Sequence, residues 1–331
     1  METLVDLFTQ TFAVAFAFLQ AQLFEGLILP VLYALGFSSY AEMAFDATEL
    51  FLIGVLEVLF MAVFFSALEK WRPVEHWQDR KAVRADVIYT LINRLGLVPL
   101  LLFLLLTPLT DSVDGWLRMH DIIPPNLENI FPGLAQHALT SFLLYLVILD
   151  FAAYWLHRWQ HRFNIWWALH SLHHSQRQMG FWCDNRNHLL DVLVIDGCFA
   201  LLALLIGVAP GQFMMIVVAT RMLESLAHIN ARLSFGAVGE RLLVSPRFHR
   251  LHHAIGAGHE GAKRGCNFAV LFPLWDILFG SANFATEYHP TGIRDQLEGR
   301  DYGAGFWRQQ WLGLKRLATR FNSSATIQPD V

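Results

Sequence analysis

The chain of 331 residues is 55% hydrophobic and only 16% charged, with a formal net charge of −4 and a mean hydropathy of +0.39. That balance lies above the range of a soluble domain of this length and marks an integral membrane protein. No basic cluster is paired with stacking aromatics, which excludes a nucleic-acid partner; Cys183, Cys198 and Cys266 form no CxxC, which excludes a disulfide framework and a thiolate zinc site.

The opening METLVDLFTQ has no Lys or Arg ahead of its apolar run, so the first apolar segment is expected to be retained rather than cleaved as a signal peptide. Crossing a bilayer core takes about 20 apolar helical residues, and four stretches are long enough: 11–36, 49–68, 87–109 and 138–156. A fifth apolar stretch, 190–227, is split by Pro210 and Gly211 and reads as a helical hairpin of two short legs that dips into the bilayer. Loop charge orients the spans. EKWRPVEHWQDRKAVRAD carries Lys70, Arg72, Arg80, Lys81 and Arg84, GFSSYAEMAFDAT has no basic residue, and the 110–137 loop has only Arg118. The excess of positive charge places 69–86 in the cytoplasm. The segment ending at Leu156 then emerges on that side, and the hairpin returns residue 228 to it, so all the histidine clusters share the cytoplasmic face.

From 228 onward the chain is more polar, punctuated by Gly236, Gly239, Pro246, Gly256, Gly258 and Gly261, and reads as a cytosolic cap. Its basic tail, with Arg308, Trp311, Lys315, Arg316 and Arg320, is expected at headgroup level. The last ten residues, NSSATIQPDV, are expected to be disordered. The reading is thus an all-α integral membrane fold, with about four transmembrane helices plus a helical hairpin and a cytosolic helical cap carrying a histidine-rich di-metal site. Its divisions are a transmembrane anchor over 1–156, a histidine-rich catalytic region over 157–293 that includes the hairpin 190–227, and a basic cytosolic tail over 294–331.

Ten of the fifteen histidines fall in ordered groups: His157 and His161; His170, His173 and His174; His188; His228; and His249, His252 and His253. His157 and His161 are four apart, which puts both rings on one helix face. HSLHH and HRLHH repeat that spacing in their first and last histidines while the middle one is turned by about 100°. Each triplet can therefore serve one metal with two rings and offer the third to a neighbour. An isolated HxxxH is more simply a polar helix end at the interface. Ten buried imidazoles without a cation, however, leave unsatisfied donors and acceptors and repel one another on protonation, so the set reads as a metal centre. Zinc, copper, iron and nickel all suit nitrogen ligands, and softness alone does not choose. Eight to ten ligands exceed one ion, making two the economical count. A hydrolytic zinc site wants a Glu base as in HExxH, which is absent, so iron chemistry with dioxygen fits better.

The motifs also form an ordered series. Arg84, Asp86 and Tyr89 fit R-x-D-x-x-Y, HRWQH fits HxxxH, HSLHHS fits HxxHH with the trailing Ser175, and Arg186-Asn187-His188 fits R-x-H. His228-Ile229-Asn230 fits H-x-N, SPRFHRLHH fits P-R-x-H-R-x-H-H, and WDILFGS fits W-D-x-x-F-G-T. From about 80 to 293 this series resembles the fatty acid hydroxylase superfamily, also called the sterol desaturase family, of membrane di-iron oxygenases. The chain departs from the pattern at His188-Leu189-Leu190-Asp191, where His-Pro-x-Glu is usual, and at Asn267-Phe268-Ala269, where Asn-Tyr-Gly is usual.

The resemblance implies a four-helix membrane anchor with a cytosolic helical cap over two Fe ions, a di-iron centre held by the histidines. It further implies O2-dependent hydroxylation or desaturation of a lipid substrate, fatty acyl, sterol or related, entering from the membrane bilayer. No GxGxxG appears, so electrons are expected from an external electron donor: a ferredoxin, cytochrome or reductase. The implied location is a multi-pass membrane protein with its catalytic face cytoplasmic, in the inner membrane if bacterial and the endoplasmic reticulum if eukaryotic. The competing readings are a histidine-ligated zinc membrane hydrolase, a non-enzymatic membrane metal-binding protein and a bis-histidine haem protein, the last requiring facing histidines inside the spans.

Several other residues carry expectations. Trp166, Trp167 and Trp182 read as interfacial anchors, with substrate contact as the alternative. Glu57 and Arg94, inside apolar spans, are a candidate pair, although Arg94 is near enough to the cytoplasmic end to snorkel instead. Asp191, Asp276 and Glu224 are candidate acceptors for histidine N–H groups, with helix capping as the plainer role for Asp276. His259 and His289 are candidate extra ligands, though each alone is more often a surface histidine. His76, His120 and His137 fall outside the motifs.

Overall fold

The computed structural model describes residues 4–324, apart from Gln78 and residues 261–263; Gly261 and the final seven residues of the NSSATIQPDV tail lie outside the described residues. The described regular structure is helical, with an isolated bridge between Ala254 and Thr291 and no strand. Among the described residues, four helical stretches are long and apolar enough to cross a membrane: Gln10–Ala34, Ser38–Trp71, Leu97–Met119 and Ala138–Arg162. The chain divides into two compact units, residues 1–60 with 91–101, and 61–90 with 102–331.

In the first unit, α1 (Leu4–Leu23) runs through a widened turn at Phe24–Ile28 into α2 (Leu29–Ala34). It packs against α3 (Ala41–Phe60), with Gln20 Nε2 donating to the Phe45 carbonyl at 3.1 Å and the Phe24 and Phe45 rings edge to face. Glu57 of α3 meets Arg94 at 3.3 Å, both buried, so the candidate pair exists and Arg94 does not snorkel. Gly54 makes this approach possible: a Cβ there would stand 1.7 Å from the Arg94 carbonyl oxygen. Arg94 ends α5 (Arg80–Arg94), which follows α4 (Ser66–Trp71), and the chain breaks at Gly96, whose φ is +85°. The third apolar helix is α6 (Leu97–Met119), ten residues beyond the expected start at 87. The reason is chemical. The stretch 87–94 belongs to a helix that buries Asp86, Thr90 and Arg94, polar groups that require protein partners rather than lipid.

The second unit carries the site. A short α7 (Leu127–Ile130), capped by the Asn126 side chain, precedes α8 (Ala138–Arg162). The chain turns at Phe163 into α9 (Asn164–His174). The apolar stretch after 188 is the expected hairpin, α10 (Leu189–Leu205) and α11 (Pro210–Ala227), with Gly207 at φ +63° in the turn and Pro210 opening the second leg. Then come α12 (Gly236–Leu242), α13 (Pro246–His252), α14 (Leu274–Leu278) and α15 (Phe306–Ser324). Ser245 accepts from the Phe248 N–H and Pro246 opens α13, so SPRFHRLHH carries its own helix start.

Apolar clusters hold these helices. Tyr145, Leu146 and Leu149 of α8 pack with Ile216 and Leu271; Met61 and Phe65 pack with Phe181, Ile229 and Ala231; Tyr154 packs with Ala227, Val244, Phe248, Phe268 and Ala269. Asp150 of α8 accepts from the Leu271 and Phe272 N–H groups and from Trp275 Nε1, while Asp276 accepts from the Phe268 and Ala269 N–H groups and the Ser281 hydroxyl. The WDILFGS motif thus straps the 266–272 segment to α8. The segment after residue 294 returns to the site: α15 runs along α9, Arg316 Nε donates to the Ala168 carbonyl at 3.0 Å, and Gly313 lies against the His188 ring.

Candidate metal centre

Helix periodicity deals the histidines into two groups. His157 and His161 project from the end of α8, His170 and His174 from one face of α9, and His252 from α13; one ring nitrogen from each lies within 4.8 Å of those of the others. His173, turned away from its neighbours on α9, joins His228 at the end of α11 and His249 and His253 of the α13 segment in a second group of the same compactness. HSLHH and HRLHH each give two rings to one group and one to the other, as their spacing requires. The groups abut, with the His174 and His253 rings stacked at 4.3 Å. All nine histidines are buried.

The hydrogen bonds fix which nitrogen faces the centre. A carbonyl only accepts, so His157 Nδ1, 2.8 Å from the Phe268 oxygen, His252 Nδ1, 2.7 Å from the Cys266 oxygen, and His228 Nδ1, 2.8 Å from the Glu224 backbone oxygen, each carry the hydrogen. Their Nε2 atoms are left with lone pairs. His170 Nδ1 meets Asp191 at 3.2 Å, and Asp191 also accepts from Gln160 at 2.8 Å and Trp166 at 2.7 Å. Burial alone would raise the Asp191 pKa, but donation from His170, Gln160 and Trp166 outweighs it and holds the carboxyl below its ordinary range.

What remains unsatisfied points to a cation. Both nitrogens of His161, Nε2 of His170, His174 and His252, and Nδ1 of His173 and His249 are buried without a hydrogen-bond partner. Each such atom costs about 1–3 kcal/mol if left alone. In the second group the Nε2 atoms of His173 and His228 stand 3.3 Å apart, those of His228 and His249 3.1 Å, and those of His249 and His253 3.1 Å. Burial, followed by the neighbouring imidazoles, depresses the pKa values of His173, His174, His249, His252 and His253 well below 6.5, so the rings are neutral lone-pair donors at neutral pH. Convergent neutral imidazoles, those of His157, His170, His228 and His252 with the far nitrogen anchored, fit a transition-metal site.

His188 is a correction. Expected among the ligands, it lies outside both groups because both its nitrogens are spent: Nδ1 accepts from the Leu190 N–H at 3.1 Å, capping α10, and Nε2 donates to the Gln310 carbonyl at 3.0 Å. The adjoining Arg186 bonds Asp86 at 2.6 Å and Ser175 at 3.3 Å, with Gln176 also on Asp86, so Asp86 of R-x-D, Arg186 of R-x-H and the trailing Ser175 form one polar network. Tyr89 accepts from Gln310.

Other expectations shift as well. Asp191 is an acceptor for a histidine, Glu224 accepts from one through its backbone oxygen, and Asp276 acts one step back by holding the segment that carries the Phe268 carbonyl. The tryptophans are half-buried and partnered: Trp166 donates to Asp191, Trp182 packs on the Met61 cluster, and Trp167 stacks on His259 at 3.5 Å. His259 stands beside His161, with ring centres 5.5 Å apart, and neither it nor His289 joins a group. Sequence reading missed Gln160, the 266–268 carbonyls and Asp184, whose carboxylate lies 3.9 Å from His228 Nδ1 and accepts from Ser225. Gln160 lay inside HRWQH and Phe268 inside Asn267-Phe268-Ala269, whereas Asp184 lay in no quoted motif.

Residues 142–281 match the fatty acid hydroxylase family model. The chain is 29% identical over 139 residues to an ornithine lipid hydroxylase, OlsE, of Rhizobium tropici, covering 42% of this chain and 40% of that protein. It is 30% identical over 135 residues to the alkylglycerol monooxygenase of Homo sapiens, covering 40% and 28%, and 22% identical over 216 residues to methylsterol monooxygenase 1-3 of Arabidopsis thaliana, covering 62% and 69%. The alignments with the first two span less than half the length of those relatives. No solved structure matches. The matched segment begins in α8, contains the nine clustered histidines and ends just past WDILFG, so the chain carries a fatty acid hydroxylase domain.

Proposed function

We propose that the chain is a membrane-embedded, O2-dependent oxygenase that hydroxylates or desaturates a lipid, with one iron ion in each histidine group. The observation that carries this reading is the pair of abutting all-histidine clusters at the end of a membrane-length helix. His157, His161, His170, His174 and His252 would hold one ion, and His173, His228, His249 and His253 the other. The chemistry such a pair supplies when bound is reductive activation of dioxygen and removal of hydrogen from an unactivated C–H bond.

The protein's own residues do the rest. Carbonyls of Phe268, Cys266 and Glu224 and the Asp191 carboxylate hold the Nδ1 hydrogens and so aim Nε2 inward. The Tyr154 and Met61 clusters keep water from the buried rings. A substrate that is itself a membrane component reaches the end of α8 without crossing water, and the relatives named above are lipid-modifying by their descriptions. The balance of a hydroxylation requires two electrons and two protons per O2, one oxygen entering the lipid and one leaving as water. A ferredoxin, cytochrome or reductase would supply the electrons. The basic 69–86 loop supports a cytoplasmic catalytic face.

The test is lipid profiling of a deletion strain against its parent under labelled oxygen, with metal analysis of the purified protein. The expected result is loss of a lipid carrying label, or of an alkene, and about two irons per chain. Zinc content with turnover that persists without oxygen would replace this reading with the hydrolase.

A further inference from the structure

We propose that α15 is an interfacial strap whose outward face lies among anionic lipid headgroups, tying the ligand-bearing helix α9 to the bilayer surface. The inference rests on the multi-pass membrane character of the chain and not on the reaction catalysed.

Trp307, Trp311, Leu314, Ala318 and Phe321 recur at steps of four, three, four and three, so they line one side of the helix. That side is bare: Trp307 is 78% exposed, Trp311 57% and Phe321 55%. Single exposed apolar residues are ordinary, but a continuous aromatic stripe is not. The opposite side is fully used. Gln309 and Gln310 are buried, Gly313 fits against His188, and Arg316 turns inward to the Ala168 carbonyl and the Tyr302 ring. Arg308 and Lys315 border the stripe, with the Lys315 ammonium 5.5 Å from the Trp311 ring centre.

Charge selects the occupant. The helix carries Arg308, Lys315, Arg316 and Arg320 and no acidic residue, in a chain whose net charge is −4; Arg308 is paired with Asp301 at 2.6 Å and Arg316 turns inward, so the outward charge beside the stripe is that of the exposed Lys315. An aromatic stripe edged by cations is the pattern of a helix lying in the headgroup layer, and anionic lipid is what the cations complement. Continuity places that layer within reach. The helix runs along α9, which is separated from the membrane-length α8 by Phe163 alone, and Trp159, Phe163 and Ile165 are exposed at this junction. The belt at the end of the span therefore continues onto α15. Because α9 bears His170, His173 and His174, headgroup contact and metal ligation share one packed pair of helices.

The experiment uses the full-length protein in a Cys198→Ser background, Cys183 and Cys266 being buried. Single nitroxide labels are placed at positions 311, 314 and 321, with exposed Glu298 as the water reference. Samples in phosphatidylcholine nanodiscs, with and without phosphatidylglycerol, are probed by oxygen and by a water-soluble nickel chelate. The expected result is that the three outer labels favour oxygen over nickel relative to position 298, that this preference grows with phosphatidylglycerol, and that Lys315→Glu removes the growth while iron content is retained. Outer labels as nickel-accessible as position 298 in both lipids would overturn the proposal, as would spin–spin broadening that reports a second copy on this face. Burial indifferent to phosphatidylglycerol would overturn the anionic preference.

Discussion

At the residue scale the site separates groups that face the centre from groups that aim them. His173→Ala and His252→Ala each remove a ring from a group of convergent nitrogens, and metal analysis should show loss of the corresponding ion. His188→Ala should keep metal content but lower the melting temperature, since loss of the α10 cap and one hydrogen bond costs about 1–3 kcal/mol. That contrast tests the reassignment of His188 directly. Asp191→Asn keeps shape but removes the charge that three donors address, and metal retention against a chelator should fall about 10–100-fold. His188 was read as a ligand from its match to R-x-H, a local pattern that carries no sign of its partner carbonyl on Gln310, 122 residues away.

At the element scale, local periodicity and local breaks behaved differently. HSLHH and HRLHH were readable because rotation per residue on a helix is a covalent consequence, and both triplets divide two to one between the groups. The hairpin was readable because Pro210 cannot continue a helix. The third span was misplaced because hydropathy averages across Gly96, where positive φ ends one helix and lets another begin. Gly54 tests the neighbouring contact. Gly54→Ala drives a methyl into the Arg94 backbone and should destabilise by about 1–3 kcal/mol, read as an earlier thermal transition in detergent.

At the scale of the whole molecule, the buried imidazoles couple folding to pH. The five rings held well below 6.5 refuse protons that the unfolded chain accepts, so stability from these groups is fully present above pH 6.5 and declines as pH falls below it. The metal-free protein should therefore melt at a lower temperature at pH 5.5 than at pH 8, and metal release should accelerate over the same interval because ligation requires neutral rings. A melting temperature unchanged between the two would show that the rings are not jointly buried without metal.

Composition, helix period and motif order were sufficient by themselves for a helical membrane protein with membrane-length apolar stretches, a hairpin and a histidine centre, because hydropathy and rotation per residue are properties of the local chain. Only the tertiary structure decided which histidines meet, which nitrogen each one offers, and that α15 returns to brace α9. Those outcomes depend on carbonyls and packing surfaces brought together from distant parts of the chain, and spacing along a sequence carries no record of such encounters.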